Sequence, residues 1–227
     1  MHLPLILVSL SLCVLAHAQG QPFGALPAAR LETLAQNPAA ASAEELYSAS
    51  LTSGKARDWE HAVFFLWCAQ VRLQFERTLF PPTEKGGNSP TLALFAVGQT
   101  AAQSFVPMLY TNPDAHRRVI ARVRDYVPDA EASYRPPWSY SGGFTKPEAQ
   151  AAAKKLATAM ADASSRLLEL TALPEYLEAL KIYVDASDES PERASRFRAA
   201  NETMWRIESE KQINSGLAYP PRQRPNK

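Results

Sequence analysis

The run Ala62 to Ala69, AVFFLWCA, offers no polar side chain on any side of a helix. A helix that is apolar all round cannot lie on a surface and has to be walled in by other elements. The spacing around this run therefore predicts residues 57–79 as the central, most buried helix. Its polar residues come late, at Gln70, Arg72, Gln74, Glu76 and Arg77. Arg72 and Glu76 stand four apart, where opposite charges meet on one helix face, and they are expected to pair on an exposed side.

The walls also read as helices. Apolar spacing predicts helices at 26–36, 42–54, 90–110, 113–126, 146–171, 174–186 and 191–214, and no convincing strand competes. The prolines mark starts rather than breaks. Ser89-Pro90, Asn112-Pro113 and Ser190-Pro191 each set a capping residue before a proline at the first helical position, where the missing N–H costs nothing. Thr145 and Glu148 have capping-box spacing, and Asp114 and Glu192 put carboxylates in first turns, where the helix dipole favours them. In the helix at 146–171, Leu156, Met160, Ala163, Leu167 and Leu170 recur at steps of three and four, so that stripe is expected against the core. The chain has 227 residues, 46% hydrophobic, and alanine and leucine are too abundant for its 18 prolines to signal disorder. The predicted fold class is all-α: a single compact antiparallel array of about six to eight helices over residues 26–218, with no sheet.

Outside the helices lie a short leader at 19–25, a turn-rich connection at 80–89, a long loop at 127–145 and a tail at 219–227. The tail, YPPRQRPNK, is expected to be disordered and basic. The loop exceeds ordinary connection lengths, which marks it as functional or as a linker.

Leu3 to Leu15, LPLILVSLSLCVL, is too short to span a bilayer core of about 30 Å. It ends in Ala16-His17-Ala18, a small-x-small cleavage pattern, so residues 1–18 are expected to be a signal peptide and the mature chain to begin at Gln19. The segment has no Lys or Arg before its apolar run, and retention as an anchor stays open. Export implies a periplasmic or secreted protein. No other segment is expected to reach membrane-spanning length, so no span is expected after cleavage. Of the two cysteines, Cys13 leaves with the signal, and Cys68 is expected to be a buried small hydrophobe. A formal net charge of +1 gives no general attraction for nucleic acid, which is not expected as a partner.

No catalytic constellation emerges. His61 and His116 do not form the H-E-x-x-H pattern of a zinc protease, and no G-x-S-x-G is present. Gly86-Gly87 and Gly142-Gly143 read as turns. Glu44 and Glu45 sit in a first turn, and Asp185, Asp188, Glu189 and Glu192 form an acidic junction without calcium-loop spacing. Catalytic residues, metal ligands and cofactors are therefore each expected to be none. Two features point instead to a protein partner. Arg117, Arg118, Arg122 and Arg124 cover one broad face of the helix at 113–126, suited to an acidic partner or to pairing with acids such as Asp114 and Asp125. Tyr134, Arg135, Trp138, Tyr140 and Phe144 crowd the long loop, which Pro136 and Pro137 stiffen, and aromatics with arginine dominate binding hot spots.

The stretch AEELYSASLTSGKARDWEHAVFFLWCAQVR, residues 43–72, resembles a single tetratricopeptide-like helical hairpin, with Ala62, Leu66 and Ala69 at the matching small-large-small spacing. The whole chain is similar to small exported bacterial helical proteins, which implies an envelope location and a binding role. The function expected is a non-catalytic periplasmic protein-binding module, as an immunity or inhibitor protein that neutralises an antibacterial effector. Two other classes are a cell-envelope glycan or peptide hydrolase using a carboxylate pair, and a small-molecule carrier whose aromatic loop closes a helical pocket.

Overall fold

The computed structural model describes residues 23–84, 89–185 and 190–218. Among them are eight helices: α1 (Ala28–Gln36), α2 (Ala43–Lys55), α3 (Trp59–Leu79), α4 (Pro90–Tyr110), α5 (Pro113–Asp125), α6 (Lys146–Thr171), α7 (Pro174–Val184) and α8 (Arg193–Lys211). The fold is all-α, and the one β-type contact among the described residues is an isolated bridge between Pro82 and Tyr140. The expected signal segment 1–18, Gly86-Gly87, Asp188 and Glu189 of the acidic junction, and the tail 219–227 lie outside the described residues.

α3 is the centre, as its sequence requires. It packs against α2, α4, α5 and α6 at once, and Val63, Phe65, Leu66, Cys68, Ala69, Val71 and Phe75 are fully buried. Burial pushes the Cys68 thiol far up, so it is an inert apolar filler. A second, smaller apolar cluster joins Tyr110, Leu167 and Leu170 to Tyr176, Leu180, Met204 and Ile207, where α7 and α8 close the far end of α6.

Helix starts are set locally. Asn112 accepts from the Ala115 N–H, and Thr145 with Glu148 forms a capping box. Ser42 and Asp58 cap α2 and α3 by accepting from Glu45 and His61, two caps the sequence reading did not pick out. Two expected caps differ. The Ser89 hydroxyl pairs with Thr91 rather than with a backbone N–H, and α8 begins at Arg193 with Glu192 at its N-cap position, beyond Ser190-Pro191.

Of the expected stripe on α6, Leu167 and Leu170 are buried in the second cluster and Leu156 and Met160 pack partly buried against the main one, but the face that meets α3 most closely is a row of alanines. Ala149, Ala153, Ala157 and Ala161, one every four residues, are each fully buried, whereas Leu156 and Met160 flank the contact and Ala163 is exposed. A row of methyl groups lets the α6 backbone approach α3 closely, and the larger side chains then fill the edges of the seam. Small residues also set the contact between α2 and α4. The Phe105 ring of α4 lies against Gly54 of α2, where an added Cβ would stand 2.3 Å from it, and Tyr47 of α2 lies against Gly98 of α4, where an added Cβ would stand 2.7 Å from its hydroxyl.

α4 corrects one expectation about the membrane. By length and composition alone Pro90–Tyr110 is long and apolar enough to cross one, with a mean hydropathy of 1.3. It packs along α2 and α3 through Leu94, Val97, Gly98, Ala101 and Leu109, and carries Leu92, Phe95, Gln99, Thr100, Gln103 and Ser104 on its outer side.

Enlarging the small-residue seam tests this packing. Ala157→Leu is expected to lower unfolding free energy by about 1–3 kcal/mol through overpacking, while Ala163→Leu on the exposed side stays within about 0.5 kcal/mol of the parent. Denaturant unfolding of the two variants measures both.

Candidate functional site

Arg72 and Glu76 do pair, but at the core rather than on an exposed side: their side chains are 0% and 1% exposed. Arg72 Nε donates to Glu76 Oε1 at 2.6 Å. Arg72 Nη1 donates to the carbonyls of Ala39, at 3.1 Å, and of Asp129, and Glu76 Oε1 also accepts from the Ala43 N–H at 3.2 Å. The guanidinium lies 5.2 Å from the Phe75 ring centre and 5.0 Å from that of Tyr134. Arg72 Nη2 is buried without a hydrogen-bond partner. One ion pair thus holds the α1–α2 connection, the start of α2 and the 127–145 loop against α3.

That loop is a strap, not a free arm. Trp138, expected to be presented to a partner, is 5% exposed, and its indole N–H donates to the Phe80 carbonyl at the end of α3 at 2.9 Å. Burying an indole requires such an acceptor, and a helix end has carbonyls to spare. Backbone bonds from Thr83 to Ser139, from Ser141 to Pro81 and from Phe144 to Thr78 continue the strap. Tyr134 is half-buried beneath Arg72, and burial raises its hydroxyl pKa well above the ordinary phenol value. Tyr140 meets Phe80 edge-on at 4.9 Å and stays 39% exposed, and Phe144 is 59% exposed. Arg135 is exposed and donates from Nη1 to the carbonyls of Ala132 and Tyr134, with no carboxylate partner among the described residues.

The arginines of α5 are engaged within the fold. Arg117 pairs with Asp114 at 2.5 Å, and Arg118 grips Glu60 of α3 with two bonds of 2.9 and 2.6 Å. That grip holds the Glu60 carboxyl below its ordinary range. Arg122 lies 3.5 Å from the Phe64 ring centre and donates to the Ala35 carbonyl, and Arg124 pairs with Asp162. The two sets of expected binding residues do not share a surface. Arg118 reaches α3 at Glu60 while the loop is tied at Phe80, and twenty residues of helix separate them by about 30 Å.

Beside the strap is a cavity of about 210 Å³ lined by Ser42, Glu44, Glu76, Leu94, Tyr134, Arg135 and Pro137. Of these, Tyr134 and Arg135 were expected at a site, while Glu76 was not. The available signal was a charged i,i+4 pair inside the helix that the apolar run marks as most buried. A second, shallower groove of about 420 Å³ runs along Phe64, Arg122, Tyr126 and Val127.

A serine and a histidine also meet. His116 Nε2 lies 2.6 Å from Ser164 Oγ, but both residues are buried and neither lines either cavity. His116 is packed against Tyr110 and Trp67, with Nδ1 unpartnered, and burial followed by the nearby Arg117 charge pushes its pKa down to about 4. It is a neutral core histidine. Among the described residues no three of His, Cys, Asp and Glu are grouped to hold a metal ion. Comparisons with protein-family models, with curated proteins and with solved structures find no match for this chain.

Two outcomes follow from these buried titratable groups. Arg72→Met strands the Glu76 carboxylate in the core and is expected to destabilise by about 3–5 kcal/mol, and the double change Arg72→Met with Glu76→Leu by less than the sum of the singles, in a double-mutant cycle of unfolding energies. For His116, the folded state binds its proton only near pH 4 and the unfolded state near 6.5. Its contribution is complete above about pH 6.5 and falls by about 3 kcal/mol as the pH drops to 4, a slope that His116→Gln removes when unfolding is measured across that range.

Proposed function

We propose that this chain is an exported, non-catalytic protein-binding module, and that the protein it binds is a toxic effector which it neutralises as an immunity or inhibitor protein. The observation that carries the reading is the grouping of exposed apolar side chains. Among the described residues seven large hydrophobics are exposed, and four of them, Leu92, Phe95, Tyr140 and Phe144, belong to the first turns of α4 and to the later half of the strap, with Val127 at the strap's other end. The start of α4 lies beside the 134–137 part of the strap, since Leu94 lines the same cavity as Tyr134, Arg135 and Pro137. Arg135 adds a guanidinium with donors to spare at this end. Exposed rings beside an unpaired arginine are what a protein interface uses as anchors. The partner surface is therefore Tyr140, Phe144 and Arg135 with Leu92 and Phe95, while Trp138 and Tyr134 hold the strap and Arg117, Arg118 and Arg122 brace α5.

The hydrolase reading has one specific observation in its favour, since Glu44 and Glu76 both line the cavity. Glu76, however, already accepts from Arg72 and the Ala43 N–H. The cavity is also below the roughly 300–1,000 Å³ of ordinary small-molecule sites, and two sugar rings need more.

For the immunity role, cells lacking this protein are expected to be inhibited by contact with effector-producing neighbours and rescued by the full chain but not by a copy lacking residues 1–18. With the effector in hand, Phe95→Ser and Phe144→Ser are each expected to weaken binding by about tenfold or more by calorimetry. Rescue by the leaderless copy overturns the location, and undiminished binding by both variants overturns the surface.

A further inference from the structure

The groove of about 420 Å³ along Phe64, Arg122, Tyr126 and Val127 holds a charge that the fold has positioned but not neutralised. Arg122 is half-buried, with its guanidinium 3.5 Å from the Phe64 ring centre and Nη2 donating to the Ala35 carbonyl at 2.7 Å. Those contacts use one face of the guanidinium and one of its nitrogens. A guanidinium's donors lie in its plane, so the stack leaves Nε and Nη1 free to donate. Neither has an acceptor among the described residues, and neither is sealed from solvent. No carboxylate among the described residues pairs with Arg122 either: Glu60, the acid whose charge it feels, is gripped by two bonds from Arg118. Burial pulls the Arg122 pKa down, as expected of a cation short of both water and a counter-charge.

From this we infer that the groove binds a small monocarboxylate with an apolar body, the chemistry shared by medium-chain fatty acids and aryl-alkanoic acids. The carboxylate accepts from the free donors of Arg122, a planar group suited to its oxygens. Ala35, Pro38, Tyr126 and Val127 line the apolar part of the groove, and Val127, 44% exposed, is the one large exposed hydrophobic there among the described residues. Covering it with an alkyl chain or a ring removes apolar surface from water. A cation is repelled by Arg122, and a bare anion such as acetate gains the charge but leaves Val127 wet. Asp125 also lines the groove, and it works against any anion. It is exposed, however, whereas Arg122 is half-buried. At equal separation two charges interact about four times as strongly near a protein surface as in bulk water, so attraction wins and Asp125 only trims the affinity. The volume lies within the roughly 300–1,000 Å³ of small-molecule sites. Phe64 and Ala35 already hold Arg122 in place, so little ordering is lost on binding. The site does not rest on the protein-partner reading, which uses α4 and the Tyr140–Phe144 end of the strap, and the brace that Arg122 gives α5 through Nη2 is left intact.

Calorimetry and amide NMR on the full-length protein test it with octanoate and 4-phenylbutyrate, the flexible and the aromatic form of the ligand. Octylamine and acetate serve as probes that lack the negative charge and the apolar body in turn. Saturable binding of octanoate or 4-phenylbutyrate is expected, with amide shifts centred on Ala35, Ala39 and Val127, and with octylamine and acetate weaker by about tenfold or more. The tighter of the two acids names the source, alkyl or aromatic. Arg122→Gln and Val127→Asp are each expected to weaken the acid by about tenfold, whereas Asp125→Asn strengthens it by about threefold and Ala163→Leu leaves it unchanged. Asp125 and Val127 are exposed, so their variants keep the fold by circular dichroism and decide the matter even if Arg122→Gln unfolds. The inference is overturned if neither acid gives saturable heat at millimolar concentration, or if octylamine or acetate binds as well as they do. Amide shifts confined to another face, or an Asp125→Asn variant that fails to bind more tightly, overturn it as well. None of these results bears on Phe95→Ser or Phe144→Ser in effector binding, so the two readings fail separately.

Discussion

The Arg72–Glu76 pair is the constraint from which the rest of this end of the molecule follows. A guanidinium and a carboxylate removed from water are costly unless nearly every donor and acceptor is met. Here they are met by backbone from three separate stretches: Ala39 before α2, Ala43 at its first turn, and Asp129 in the long loop. Each of those polar contacts ties backbone of a connection or of a helix start to α3. The pair therefore organises the connections, while apolar contact organises the helices.

Apolar contact in turn depends on small residues. α3 has bulky side chains on every side, so its neighbours have to present little bulk where they touch it or one another. The Ala149–Ala161 row on α6 and the glycines at 54 and 98 do this, and each lets a ring or a backbone come closer than a larger residue would permit. Close approach also explains the sealed His116–Ser164 contact. With α6 drawn onto the core, a serine on its inner face reaches a histidine of α5, and no space is left for a substrate beside them. The geometry of a nucleophile pair arises here as a by-product of packing.

The helices were legible in the sequence because their signals are local. Apolar steps of three and four, prolines at first turns and the Thr145–Glu148 box all act within a few residues, and each observed helix lies within a few residues of its expected span. What was not legible depends on partners far along the chain. Arg72 is satisfied by carbonyls 33 and 57 residues away, and the Trp138 indole by one 58 residues away, so nothing near either residue tells a buried anchor from an exposed hot spot. The alanine row of α6 was missed for another reason, although Leu167 and Leu170 of the expected stripe are buried. Hydrophobic size points to Leu156 and Met160, whereas backbone approach selects alanine, and the second effect wins where the facing helix is already bulky. For the cavity, Tyr134 and Arg135 were visible as loop aromatics and arginine, but Glu76 gains its role only when α2, α4 and the loop converge on α3.

On the proposed reading, burying the strap's tryptophan would favour recognition rather than weaken it. An exposed loop of this length would lose conformational freedom on binding, at roughly 1–2 kcal/mol for each residue fixed. Trp138, the backbone bonds to Thr78 and Pro81, and the contact at Gly143 have already fixed it in the free protein. Gly143 is essential to that fit, since any Cβ there would stand 2.0 Å from the Leu79 carbonyl oxygen. Only a residue without a side chain brings the strap this close to the end of α3, and the next residue, Phe144, is thereby turned outward. One buried ring and one glycine thus hold an exposed ring in place, so that any partner binding there would find the strap already ordered.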